Sequence, residues 1–389
     1  MTNGIVNPMT TPPAPALREA HAVAPVARAE VWRMVALSWL TARAVVLSAF
    51  VLARYLHRTT HFRKHYEGVL GWDADWYRRI AVHGYAAMPH EALRFFPLLP
   101  LLARLGGRLP GASVGVVLLV ASNSGAVVYA LLLHRLALRE GLTAAAAQRL
   151  VWVVALTPAA FVLVMGYAEP LSGATAVGIA LLVRARRWWP VVPLGLCAGA
   201  LRPTGCVIGV FIAVEAARSF RGTSGRELLA RACAVLAPFG GLVAYLAWVG
   251  ARFGDPFAPF TVQTAVGLRG GTLVSPVAAT SAAVRGLASG QVPTQAPHLA
   301  WLLGSIALAV LCARRLPPSY VAFAAAIIGL GATARDFQSF ERYAAGAFPL
   351  LLAAASLRMG AARATAAAVV AGALLAAYTL LAALHLYVP

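Results

Sequence analysis

Apolar runs of roughly 17 to 25 residues recur along this chain between short polar breaks, and about 20 helical residues cross the hydrocarbon of a bilayer. In lipid every backbone polar group must be satisfied internally, which leaves closed barrels or helices; runs of this length select helices. The chain has 389 residues, is 60% hydrophobic and carries only 12% charged residues, values of a polytopic membrane protein and not of a soluble domain. The pattern predicts an all-α polytopic membrane protein with about 11 transmembrane helices, in a range of roughly 9 to 13.

The formal charge of +20 has two sources to weigh. Short cytoplasmic loops collect Arg by the positive-inside rule, and basic groups also attract anionic lipids or phosphate ligands. A nucleic-acid partner is disfavoured, because no soluble basic domain would carry it. Cys197, Cys206, Cys233 and Cys312 lie in or beside apolar segments without metal-ligand spacing and read as small core residues. Residues 1–30, rich in Pro, Ala and Thr and lacking an apolar core, read as a disordered cytoplasmic tail before a single domain over 31–389.

A first span is expected over Met34–Leu56, with Arg43 inside it; that charge must either snorkel to the interface or pair with a buried group. An outer loop over 57–111 follows, ending in an interfacial helix, and a second span covers Ala112–Leu133. Residues 149–184 are apolar and flanked by Arg on both sides, so the chain crosses there an even number of times. The break falls at Gly166–Pro170 and puts Glu169 at an outer turn. Residues 188–217 repeat the pattern, but thirty helical residues reach only ~45 Å, too short for two full spans. A pair of short helices is expected, with Arg202-Pro203-Thr204-Gly205 at the apex. Further spans are expected near 232–249, 298–311, 320–334, 343–357 and 364–385, with a second outer loop over 251–296.

Gly71–Pro100 stands apart from ordinary membrane loops. It holds Asp73, Asp75 and Glu91, three of only 13 acidic residues, among Trp72, Trp76, Tyr77, Tyr85, Arg78, Arg79 and His83. Aromatic faces suit sugar rings, guanidinium forks suit phosphate, and a carboxylate accepts a proton from a hydroxyl. Each aromatic also serves as an interfacial anchor, and His83 as a plain helix-end residue. Glu169 reads first as a turn and cap residue, and second as an acceptor-binding group. Arg202, Gln263 and Arg269 of the second outer loop, and Arg342 with Tyr343, fall on the same outer face.

The run WDADWYRRIAVHGY followed by FFPLLP resembles the signature of PIG-V-type glycosyltransferases, membrane enzymes of the GT-C superfamily. GDPFAPFTVQ and ERYAAGAFPLL are similar to later landmarks of bacterial members. The resemblance implies a GT-C-like architecture with a helical first outer loop. It implies transfer of a sugar, mannose first, from a polyprenyl-phosphate donor to a lipid, glycan or protein acceptor, facing outward from the bacterial cytoplasmic membrane. Asp73 then corresponds to the catalytic Asp, with Asp75 as the other assignment. Arg94, before FFP, departs from the small apolar residue more usual there and leaves the acceptor open.

The chemistry so implied is inverting. One carboxylate takes the acceptor proton while cations steady the departing lipid phosphate, for which Arg78, Arg79, His83, Arg202, Arg269 and Arg342 are candidates. No cofactor or metal is expected. Two other classes stay open: a transporter or flippase of a lipid-linked or anionic solute, and a noncatalytic membrane subunit.

Overall fold

The computed structural model describes residues 28–59, 66, 68–218, 222–264, 274–290, 292–334, 337 and 339–386, the side chains of 292–295 aside. Arg269 and nearly all of the expected N-terminal tail lie outside the described residues. Among the described residues every regular element is helical. In order these are α1 (Arg28–Thr59), α2 (Asp73–His83), α3 (Leu98–Gly106), α4 (Val114–Arg139), α5 (Ala144–Leu156), α6 (Glu169–Arg184), α7 (Val191–Leu201) and α8 (Ile208–Arg218). There follow α9 (Gly225–Phe253), α10 (Ala258–Thr261), α11 (Pro276–Ala288), α12 (Val292–Arg315), α13 (Pro318–Ala332), α14 (Phe340–Gly346), α15 (Phe348–Ala355) and α16 (Ala361–Ala383).

Among the described residues five helices are long and apolar enough to cross a membrane: α1, α4, α9, the Ala296–Arg315 part of α12, and α16. Among the described residues α1, α4 to α9, α12, α13, α15 and α16 occupy the places of the expected spans. The shorter ones are cut by proline. Thr157 precedes Pro158 and ends α5 in a 3-10 turn over Pro158–Leu163, because the proline ring disfavours helical backbone at the residue before it. Arg202 is extended at φ −158° before Pro203, so α7 stops at Leu201 and α8 starts after a 3-10 turn over Pro203–Val207. That is the expected dip. The sequence misplaced other ends: α1 overruns Met34–Leu56 on both sides, and the 343–357 span is split between α14 and α15. Helices α11 and the start of α12 occupy much of the expected 251–296 loop.

Arg43 is paired, not snorkelled. Its Nε donates to Asn123 Oδ1 (2.8 Å), its Nη2 to the Leu163 carbonyl (2.9 Å), and its guanidinium lies 4.3 Å from the centre of the Trp39 ring. The charge thus ties α1 to α4 and to the 3-10 turn with neutral dipoles, satisfying donors that lipid cannot.

Helix α7 packs along α9 through Gly195 and Gly199, spaced four residues apart as at close helix crossings in membranes. A Cβ on Gly199 would collide with the Pro238 carbonyl oxygen and stand 2.7 Å from Leu242 N, both backbone atoms. Gly199→Ala is therefore expected to destabilise the protein by about 1–3 kcal/mol, the usual range for overpacking. Thermal unfolding in detergent checks this, and an unchanged midpoint would refute the close contact.

Helix α2 lies on the bundle through Tyr77, Ile80 and Ala81, which pack against Leu99 and Ala103 of α3, Leu118 of α4 and Leu201 of α7. Burying that face fixes the opposite register and sets Asp73 toward the ends of α6 and α14.

Candidate functional site

Four charges from four distant segments alternate in sign along one chain of contacts. Arg342 Nη2 donates to Asp73 Oδ2 at 2.8 Å, and Arg342 Nε to Glu169 Oε1 at 2.8 Å; Nη2 also reaches that Glu169 oxygen. Arg202 Nη1 pairs with the same Oε1. The Arg342 and Glu169 side chains are only 6% and 9% exposed, whereas Asp73 is 27% exposed. Asp73 therefore sits at the accessible end, with one oxygen on an arginine. Buried charges persist only where they are paired, and here two guanidinium groups offset two carboxylates.

Local backbone explains how the cluster assembles. Asp73 opens α2 directly after Trp72, whose backbone is in the left-handed region at φ 54°, an outlier for a bulky side chain. Trp72 is held by the C-terminal helix: its Nε1 donates to the Ala382 carbonyl (3.0 Å) and its ring stacks on His385 with centroids 4.2 Å apart. Strain of this kind persists when surroundings over-determine it, and it clusters at functional positions. Trp72→Ala is expected to speed hydrogen exchange at residues 72–80 without melting the bundle. Equal exchange in both proteins would remove Trp72 from the role of clamp.

Tyr167 touches both Asp73 and Arg342 and was missed from sequence. The Arg342 guanidinium lies 4.9 Å from its ring centre, its hydroxyl accepts from the Asp73 N–H at 3.4 Å, and its carbonyl accepts from Ser122 Oγ at 2.7 Å. Its only sequence signal was its position two residues before Glu169 in the Gly166–Pro170 break. Tyr77, one turn after Asp73 on α2, faces the same cluster. Burial pushes the Tyr77 and Tyr167 phenols up, so both stay neutral hydroxyls at ordinary pH.

Glu169 forms no cap: it is the first residue of α6 without a side-chain capping bond, and its Oε1 is committed to arginine. The capping reading fails because two guanidinium groups compete better for a carboxylate than backbone N–H groups do. Behind the arginines a cavity of about 90 Å³ is lined by Glu169, Ser172, Arg202, Arg342, Tyr343 and Tyr129, with an apolar floor including Phe323 and Ile327. Glu169 Oε2, Ser172 Oγ and Tyr129 OH are buried there without a hydrogen-bond partner. Such groups suit a polar ligand or water.

Among the described residues Tyr343 lines that cavity, and the remaining sequence candidates stand apart from the cluster. Asp75 pairs with Arg78 at 2.6 Å and lies 3.9 Å from Arg79, on the outer face of α2. Trp76 stacks on Phe95 and carries Arg79 and Arg94 on its ring at 5.6 Å each. His83 is exposed at the end of α2, and Gln263 donates back to the Pro259 carbonyl at 3.0 Å. Among the described residues no group of three or more His, Cys, Asp or Glu side chains is placed to hold a metal ion.

No family model and no curated protein matches the chain. Among solved structures it is similar to the apo crystal structure of the Archaeoglobus fulgidus oligosaccharyltransferase, with a TM-score of 0.50 and 14% identity. The match covers 91% of this chain and 56% of that one, so the chain spans little more than half of its neighbour's length. The all-helical order, the helix α2 in the first long connection and this likeness together give the chain a GT-C-like polytopic fold, five of whose described helices are long and apolar enough to cross a membrane.

Proposed function

We propose that the protein is an integral-membrane glycosyltransferase that moves a sugar, mannose in the simplest case, from a polyprenyl-phosphate donor to a lipid, glycan or protein acceptor. The observation that carries this reading is the Asp73–Arg342–Glu169–Arg202 chain, with its accessible carboxylate on the first loop of a GT-C-like fold. Asp73 takes the proton of the acceptor hydroxyl as that oxygen attacks the anomeric carbon from the face opposite the phosphate. The carbon–oxygen bond to the phosphate breaks, and the lipid phosphate leaves as an anion. Arg342 and Arg202 steady that anion: a guanidinium has five donors, so Arg202, bound to Glu169 through Nη1, keeps donors for phosphate oxygens. Tyr77 and Tyr167, as neutral phenols, orient groups and do not act as bases. The reaction side is the outer face, and no metal enters the scheme.

The test is sugar transfer by the purified full chain from radiolabelled polyprenyl-phosphate mannose, with membrane lipid extract as acceptor and chelator in a parallel arm. Label in the acceptor fraction is expected with and without chelator. No transfer from any of several polyprenyl-phosphate sugars would reject the reading.

A further inference from the structure

A second polar site lies at the other end of α6. Helix α6 is sixteen residues long from Glu169 to Arg184, or ~24 Å of helix. Here Val183, Arg184, Arg186, Trp188, Glu215 and Arg218 line a cavity of about 180 Å³. Glu140 clamps Arg184 through both its oxygens (2.7 and 3.1 Å). Buried Glu215 accepts from Arg184 (3.3 Å), Arg218 (2.8 Å) and Ser319 (2.6 Å). The three arginines of the lining therefore face two glutamates, Glu215 in the wall and Glu140 on Arg184. Arg186 is exposed; the nearby Glu227, whose charge it feels, is itself ion-paired with Arg231 at 2.6 Å. The cavity keeps a positive excess.

Arg186 is also strained in place. The Arg186 N–H bonds the Val183 carbonyl and the Arg187 N–H bonds the Leu182 carbonyl, each at 2.9 Å, closing α6. At this helix-closing position the backbone turns left-handed, with φ 55°, where glycine is the usual residue. An arginine there is an outlier that points to use of its side chain. Arg139 Nη2 donates to the Arg184 carbonyl (2.7 Å), so a carbonyl that would repel an anion is covered. Trp189, 49% exposed, directly follows the lining Trp188, and exposed Trp is enriched at the level of lipid headgroups.

We propose that this cavity binds the phosphate of an anionic membrane lipid, on the membrane face opposite the Asp73 cluster. Basic pockets between membrane helices take such headgroups by charge and hydrogen bonding, and this site stands independently of the transferase reading. The exposed Trp189, next in sequence to a residue of the lining, favours a lipid over a soluble phosphate.

Native mass spectrometry of the delipidated full chain, titrated with phosphatidylglycerol and with phosphatidylcholine, tests the site. The parent is expected to retain phosphatidylglycerol preferentially. Each basic residue near the surface contributes about fivefold, so Arg186→Asn with Arg218→Gln should weaken that retention about thirtyfold. Asn tolerates the left-handed backbone, so Arg186→Asn alone leaves packing intact and should weaken it about fivefold. Arg108→Gln with Arg252→Gln, exposed arginines elsewhere, should change nothing. Equal retention of the two lipids by the parent, or parent-like retention by the double variant, overturns the proposal. Displacement of phosphatidylglycerol by an equal concentration of inorganic phosphate overturns the lipid assignment.

Discussion

Asp73→Asn is expected to lower sugar transfer by about 100- to 10,000-fold, the usual contribution of a positioned general base, with little change in folding. Asparagine has the same shape, and its carbonyl oxygen still accepts the Arg342 bond that now measures 2.8 Å. What it lacks is a basic oxygen to receive the acceptor proton. Asp75→Asn is the internal control. Asp75 shares the loop but its carboxylate is spent on Arg78 and Arg79, so its loss should move the rate by no more than about threefold. Single-turnover transfer assays on the three proteins separate the cases. Asp75→Asn falling as far as Asp73→Asn, or alone, would transfer the base to Asp75, and two unaffected variants would place it outside this loop.

The two aspartates also show how far sequence reading reached. Period and spacing placed the spans, because lipid leaves a chain with such runs few alternatives to helix. The dip at Arg202 was legible, since thirty residues between basic flanks are too few for two full spans, and Pro203 disfavours helical backbone just before it. The first loop was legible as a dense polar segment, but composition alone does not say which of Asp73 and Asp75 turns inward. That depends on which face of α2 buries Tyr77, Ile80 and Ala81, a tertiary matter. Glu169 and Arg342 lie 173 residues apart, and each alone resembled a helix-end residue; only the packing of α6 and α14 on the same 3-10 turn over Pro158–Leu163 brings them together. Tyr167 was invisible because a tyrosine in an apolar break carries no periodic or charge signal. The strained Trp72 was also out of reach, since its indole is held by the Ala382 carbonyl, 310 residues away.

The second large effect is a pair of opposite responses to an anion. As built, Asp73, Glu169, Arg202 and Arg342 sum to zero charge. Removing one member of a buried ion pair costs about 3–5 kcal/mol, because its partner stays desolvated and uncompensated. Glu169→Gln and Arg342→Ala should both lose stability near that scale, although Asp73 can relax into solvent in the second and soften the loss. The signs of the remainders differ. Glu169→Gln leaves one surplus positive charge between Arg202 and Arg342, whereas Arg342→Ala leaves a surplus negative charge at Glu169 and Asp73. A ligand that binds only the folded state raises its stability in proportion to affinity. Polyprenyl phosphate should therefore raise the melting temperature of Glu169→Gln more than that of the parent, and that of Arg342→Ala less or not at all. Thermal unfolding in detergent, with and without the lipid phosphate, reads both shifts in one experiment. Equal shifts in all three proteins would mean that the phosphate binds away from these arginines. The cluster would then be a structural lock on α2, α6 and α14. With the order parent below Glu169→Gln and above Arg342→Ala, the two arginines are the phosphate ligands, and Glu169 is the group that holds their charge in check until the donor arrives.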